Sequence, residues 1–269
     1  GDGPIITSDL DESIGRNIQG PSLIRVPDWV EERLGNYYLY FADHKGRYIR
    51  LAYADRLTGP WPLHVPGSLS LEHSRFPVEP VPVTEEEKQR FAKRMEELGV
   101  SFAHDLLLEM TTPHIASPDV RVDEANRRFV MTYHGLASAG VQHSRIAVSR
   151  DGITFEGLEE KISPSYIRTF AHDGWIYGMG MPGVLLRSRD GVTNWEQGPT
   201  LWDVTQRHVG LLKRGNTLYV FWSRVGDAPE SILLSTIDIS GDWTDWRPSG
   251  EKVVLKPEFA WEGADAPLV

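Results

Sequence analysis

A unit of strand, tight turn and strand recurs four times along this chain, and that recurrence limits the folds open to it. The best-marked copy is Thr111–Gly135, TTPHIASPDVRVDEANRRFVMTYHG. Ser117–Val122 reads as one strand, Asp123–Arg127 as a polar turn, and Arg128–Tyr133 as a second strand of aromatic and β-branched residues. His114 and His134 flank the pair. In an antiparallel pair the start of the first strand and the end of the second share an edge. His114, Asp119 and His134 are therefore expected at one edge of a sheet.

The other copies follow the same plan. The first has strands at Ser22–Val26, Tyr37–Ala42 and Tyr48–Ala54 and closes in LTGPW, which delivers Trp61 to a further strand or to the core. The third has strands at Tyr166–Phe170, Trp175–Met179 and Gly183–Arg187. The fourth has Val209–Lys213, Leu218–Trp222 and Ile232–Asp238. With the insertion at 71–112 removed, the copies repeat about every 45 residues, the spacing of propeller blades built from three or four short strands. An all-β propeller is predicted, each copy one blade. SRDGITF and SRDGVTNW fall where hairpin turns are needed, so Asp151 and Asp190 read as turn-makers rather than catalysts.

The insertion breaks the pattern. Thr84–Leu98 reads as an amphipathic helix, with Thr84 and Glu87 as a capping box and Gly99 as its stop. Phe91, Met95 and Leu98 share one of its faces. A structural clamp and a lid over a site are its two readings.

The chain has 269 residues, with Lys+Arg 28 against Asp+Glu 38. That length suits one large all-β domain or two small ones, with an ample core, and the repeat favours a single propeller domain over residues 1–269. The acidic balance and the lack of a basic patch predict no nucleic-acid partner. No apolar run approaches the roughly 18 residues that would span a bilayer, so no membrane partner is expected. The sequence has no Cys, hence no disulfides and no thiolate chemistry. With a polar, acidic Gly1–Asp11 that lacks a signal-peptide pattern, this predicts a cytoplasmic location. Nine Trp and nine Tyr suit a sugar-binding cleft or aromatic sheet packing.

GPSLIRV, GNYYLYFA and YIRLAYADRLTGPW together resemble the first blade of the five-bladed propellers of glycoside hydrolase family 43 and its relatives (arabinanases, xylosidases, fructan-active enzymes). ASPDVRVD with RRFVMTYHG resembles their second blade, and QRHVGLLKRGNTLYVFWS the blade whose opening histidine lies in the central channel. The resemblance implies a five-bladed propeller and a carbohydrate or other small polar substrate. It also implies a divalent cation, Ca or Zn, at His208. The catalytic residues depart from the family pattern. Gly20 stands where the family has its base. Lys161–Ser165 stands where it has its acid, with no carboxylate. Only Asp119 matches, at the position of the carboxylate that tunes the acid. A glycosidase needs two positioned carboxylates or substitutes for them.

Blade topology brings the first strand's start and the loop between the second and third strands to one face. On that face the expected catalytic set is His44, His114, Asp119 and His134, since histidine suits acid–base work near neutral pH. Arg207, Arg224, Glu230 and Met181 are the expected substrate contacts, the arginines as carboxylate or phosphate binders. No HxH or HxxxH spacing occurs, so a metal site must be assembled from separate blades. The leading function is a glycan-active enzyme, hydrolase or lyase, with histidines in place of the carboxylates. The alternatives are a metal-assisted enzyme on a small polar molecule and a propeller that only binds a sugar or partner. Four blade openings against the five implied predict a fifth blade from residues beyond Val269 or from a second chain. Phe259–Leu268 would run into it and Pro4–Thr7 would be its outer strand.

Overall fold

The computed structural model describes residues 4–97 and 105–265. The chain divides into two compact units, Gly1–Ser165 and Tyr166–Val269. Each holds two four-stranded antiparallel sheets with strands in simple sequential order. These four sheets are the blades of an all-β propeller. Blade one has β1 (Ile18–Arg25), β2 (Tyr37–Asp43), β3 (Tyr48–Ala54) and β4 (Leu63–Ser70). Blade two has β5 (Ile115–Asp123), β6 (Arg128–Ser138), β7 (Val141–Ser149) and β8 (Glu156–Ile162). Blade three has β9 (Arg168–His172), β10 (Trp175–Gly180), β11 (Val184–Ser188) and β12 (Glu196–Thr200). Blade four has β13 (Gln206–Arg214), β14 (Thr217–Arg224), β15 (Ile232–Asp238) and β16 (Pro248–Leu255).

In the first unit the core is built by alternate residues of β2, β3, β5 and β6. Tyr38, Tyr40, Leu51, Val120, Phe129 and Met131 pack together with Phe155. Burying an aromatic or aliphatic side chain of this kind contributes roughly 2–3 kcal/mol, which is why these inward positions set the register. Tyr40 adds an edge-on contact with Phe155 and donates its hydroxyl proton to the Gly152 carbonyl. In the second unit Tyr177, Leu218, Val220, Trp222, Trp243 and Trp246 form the corresponding core.

Four features differ from the sequence expectations. The first is the fourth strand of every blade, allowed by the repeat but given no bounds from sequence, which carries Pro or Gly (Pro66 and Gly67, Gly157, Gly198 and Pro199, Pro248 and Gly250) and little apolar alternation. Outer strands tolerate such residues because one side needs no ladder partner, and the same tolerance hides them from pattern reading. The second is a short helix in the insertion. The Thr84 helix is present as α1 (Glu85–Glu97), its capping box formed by Thr84 and Glu87, but α2 (Leu106–Thr111) follows it. Leu98 and Gly99 lie outside the described residues.

The third difference concerns the fifth blade, which has no counterpart among the described residues. The fourth is its expected outer strand, Pro4–Thr7, which is irregular with a bend at Ile5 and Ile6. The apolar residues of that region have another use. Ile6, Ile14 and Ile18 cover the blade-one face formed by Leu39, Phe41, Ala52 and Trp61. The contribution of the 3₁₀ turns at Ser8–Leu10 and Glu12–Ile14 comes from Ile14, which is fully buried on this face, whereas Ser8–Leu10 buries no residue. Of Phe259–Leu268, the described part ends in a 3₁₀ turn, Ala260–Glu262, with Phe259 and Trp261 exposed. Among the described residues no helix is long and apolar enough to cross a membrane.

Candidate functional site

All four blades open with the same backbone device. A residue in the left-handed region stands at the third position of the inner strand in blades one, two and four and two residues before it in blade three: Gly20 (φ 65°), Ser117 (φ 49°), His208 (φ 44°) and Tyr166 (φ 60°). In blades one, two and four it sits in a register shift, between Gln19 and Ser22, Ala116 and Asp119, and Arg207 and Val209. Such bulges re-aim side chains and gather beside active sites. For Tyr and His the left-handed conformation costs on the order of 1–3 kcal/mol, and strain of that kind persists where surrounding structure over-determines it. At Gly20 the conformation is matched by crowding. A Cβ there would lie 2.6 Å from Ser117 Cα, so a side chain at this position would collide with the opening of blade two.

The first unit brings three of the four expected histidines together. The β2–β3 turn carries His44 and Lys45, with Lys45 itself left-handed at φ 64°. His114 stands just before β5 and His134 lies in β6, paired with Ala116. The His114 and His134 rings meet edge-on at 6.1 Å, and both are buried, at 2% and 1% exposure. His114 Nδ1 contacts the Thr112 carbonyl at 2.8 Å, and its Nε2 faces the Gln142 amide at 3.5 Å. His44 Nδ1 contacts the Gln19 amide nitrogen at 3.0 Å. Burial pushes the His114 pKa down to about 4, and the Lys45 charge adds to this. The contact to Thr112 opposes it, the nearby His44 lowers it further, and Glu109 raises it slightly. His114 is therefore a neutral imidazole at physiological pH. Lys45 is held by Glu109 at 2.8 Å, both side chains 16% exposed.

Asp119 joins this group by register. It pairs with Thr132, and residues 132 and 134 of one strand project from the same face. Asp119 and His134 are thus diagonal neighbours on a shared sheet face, a placement within about 7–8 Å. His143 projects the other way, since it pairs with Gly135. Burial, then the charges of Lys161 and Arg145, lower its pKa.

In the second unit the expected contacts are more dispersed. Arg224 is held by Glu251 of β16 at 2.6 Å and lies over the Trp222 ring, so its guanidinium is committed to the blade's own outer strand rather than to Asp227 or Glu230. Glu230 is exposed in the β14–β15 loop, and Met181 is half-buried in the β10–β11 turn. Arg207 pairs in register with Ser223, whose hydroxyl contacts its carbonyl. His208 packs its ring against Tyr166 at 5.1 Å, beside the buried Gln206. Among the described residues no group of three or more His, Asp or Glu side chains gathers as a metal ion would require.

Sequence reasoning missed Gln19, Glu109, Thr112 and Gln142, each of which touches a site histidine or its lysine. Gln142 had a signal, since it sits beside a hairpin turn that reaches the same edge as His134. Glu109 and Thr112 had none, because they reach the site through the helical insertion.

The fold is similar to that of solved β-propellers, several of them family 43 glycoside hydrolases. An exo-β-1,3-galactanase of Phanerochaete chrysosporium, solved with galactose, matches with a TM-score of 0.56 at 14% identity, over 88% of this chain and 50% of that one. This chain thus spans about half the galactanase's length. A β-xylosidase/α-arabinofuranosidase of that family from a compost metagenome matches with a TM-score of 0.55 at 13% identity, over 93% and 79% of the two chains. An N-acetylgalactosamine deacetylase of F. plautii, in complex with blood group B trisaccharide, matches with a TM-score of 0.57 at 13% identity, over 96% and 75%. No family model matches the sequence. The uncharacterized protein R118 of Acanthamoeba polyphaga mimivirus is 35% identical over 279 residues, covering 94% of this chain and 71% of that protein. The chain belongs to the same family as that mimivirus protein.

Proposed function

We propose that this protein is a glycan-active enzyme whose acid–base chemistry is carried by His44, His114 and His134, with Asp119 beside them. The observation behind the proposal is the edge-on meeting of the buried His114 and His134 rings, with His44 near enough to act on His114 electrostatically, beside backbone held in the left-handed region. A neutral imidazole can take a proton, and the imidazolium so formed can return it, without a second carboxylate. The carbohydrate reading draws on the fold shared with the galactanase and the xylosidase. Asp119, on the same face as His134, is assigned the role of orienting an imidazole and stabilising its charged form.

One observation favours a second reading. The histidine cluster has no carboxylate pair in the family's base and acid positions, and cleavage of a glycosidic bond usually needs one. Hydrolysis of an acyl group on a sugar needs one activated water and a group to hold the oxyanion. The deacetylase is among the structural neighbours, so removal of an acyl group from a sugar is the alternative reaction.

The test is a paired screen of aryl glycosides and N- or O-acetylated sugars on the purified protein. Asp119→Asn and His134→Ala are measured beside it. Turnover in either class that falls at least a hundredfold in both variants, with melting temperatures near wild type, supports the proposal. No turnover in either class, with sugar binding unchanged by the substitutions, would leave a binding propeller instead. Metal analysis of wild type and His208→Ala addresses a cation at His208 separately.

A further inference from the structure

The helical insertion reaches the histidine cluster at two points. Glu109, in the last turn of α2, pairs with Lys45 of the β2–β3 turn at 2.8 Å, and the Glu109 carbonyl accepts a second hydrogen bond from the same ammonium at 3.2 Å. Three residues further on, the Thr112 carbonyl faces His114 Nδ1 at 2.8 Å. A carbonyl oxygen can only accept, so this contact requires the proton on Nδ1 and leaves the lone pair on Nε2. Nε2 is the atom that faces Gln142, next to the His134 ring. His44 has the opposite arrangement. The Gln19 amide nitrogen that meets its Nδ1 can only donate, which places the His44 proton on Nε2.

The backbone around Lys45 is built for this contact. Lys45 adopts φ 64°, a conformation in which Gly or Asn would be the ordinary choice. Its turn is fixed on both sides, by Gly46 N–H to the Asp43 carbonyl and by Ile115 N–H to the Gly46 carbonyl. The ion pair is mostly buried, where breaking one partner is far more costly than at the surface.

We infer that the Lys45–Glu109 ion pair is a positioning clamp: it fixes α2 on the β2–β3 turn so that the Thr112 carbonyl holds His114 in its Nδ1–H form. The cluster then has polarity. His114 turns an acceptor nitrogen toward the Gln142 amide and His44 a donor N–H away from Gln19, so the two rings offer opposite hydrogen-bonding characters before any substrate arrives. The functional value of the clamp rests on reading this cluster as the site, but the tautomers and the clamp do not.

Long-range ¹H–¹⁵N correlation spectra of the histidine rings provide the test and need no substrate. In wild type, His114 is expected to show a protonated Nδ1 and a bare Nε2, and His44 the reverse. Lys45→Met and Glu109→Gln are each expected to shift the His114 nitrogens toward averaged values as both tautomers become populated. The charge-swapped double variant, Lys45→Glu with Glu109→Lys, is expected to restore the wild-type pattern. A wild-type His114 protonated on Nε2, or a His44 protonated on Nδ1, overturns the tautomer assignment whatever the variants do. An unchanged His114 pattern in both folded single variants overturns the clamp. If the tautomers and the clamp hold while no glycan is turned over, only the functional reading fails.

Discussion

At the residue scale, His114 couples the site to stability. Its folded pKa of about 4 lies below the ordinary value of 6.5, chiefly because burial penalises the charged ring. The unfolded chain therefore binds the proton more readily between those values. Stability from this residue is complete above pH 6.5 and is lost as pH falls toward 4, by on the order of 3 kcal/mol. Urea titrations across that range are expected to show this slope in wild type and a flatter one in His114→Gln. Gly20 sets a second residue-scale limit. Gly20→Ala is expected to destabilise by roughly 2 kcal/mol or more, from left-handed strain and from crowding against Ser117. Gly20→Asp places a carboxylate where the resembled family has its base, yet the same crowding predicts a lower melting temperature and no gain of glycosidase activity. A Gly20→Asp protein as stable as wild type would show that the blade openings can separate.

At the element scale, hairpin chemistry and insertion docking divide the work. Asp151 accepts from the Ser149 hydroxyl and from the backbone N–H groups of Ile153 and Thr154, so it builds the turn between β7 and β8. Asp190 does the same for Val192 and Thr193, which helps hold its pKa down at about 2. Asp151→Ala strands two backbone donors and is expected to cost about 1–3 kcal/mol in thermal denaturation while leaving the His114 tautomer spectrum unchanged. The insertion docks on the tip of the β6–β7 hairpin. Gly140, at φ 65°, lets the Phe91 ring approach within 2.6 Å of where a Cβ would stand. Its N–H donates to the Met110 carbonyl. Clamp rather than lid is the reading these contacts favour. The turn residues were legible in the sequence because Asp-Gly and Ser act on their own backbone neighbours. The docking was not, because Phe91 and Gly140 are far apart in the chain.

At the scale of the whole molecule, the chain has two compact units with separate aromatic cores. Seven of its nine tryptophans, from Trp175 to Trp261, lie in the second unit, whereas Trp29 and Trp61 lie in the first. Tryptophan fluorescence therefore reports chiefly on the second unit, and the His114 ring signals report on the first. Two cores of this kind predict a calorimetric unfolding enthalpy larger than the van't Hoff value, with the two probes melting at different temperatures. Coincident melts with equal enthalpies would instead show a single cooperative body.

The period of the repeat, the inner three strands of each blade, the Thr84 helix start and the turns built by Asp151 and Asp190 were determined by the sequence alone. Each depends on alternation or on side chains acting a few residues away, and such signals survive in one dimension. The histidine edge was partly legible for the same reason. Strand topology places His114, Asp119 and His134 at one end of a hairpin without any knowledge of packing. The outer strands, the N-terminal strap over blade one and the Lys45–Glu109 contact were decided only by tertiary structure. Edge strands need little hydrophobic pattern, a strap is specified by the face it covers, and an ion pair between residues 64 positions apart has no local signature.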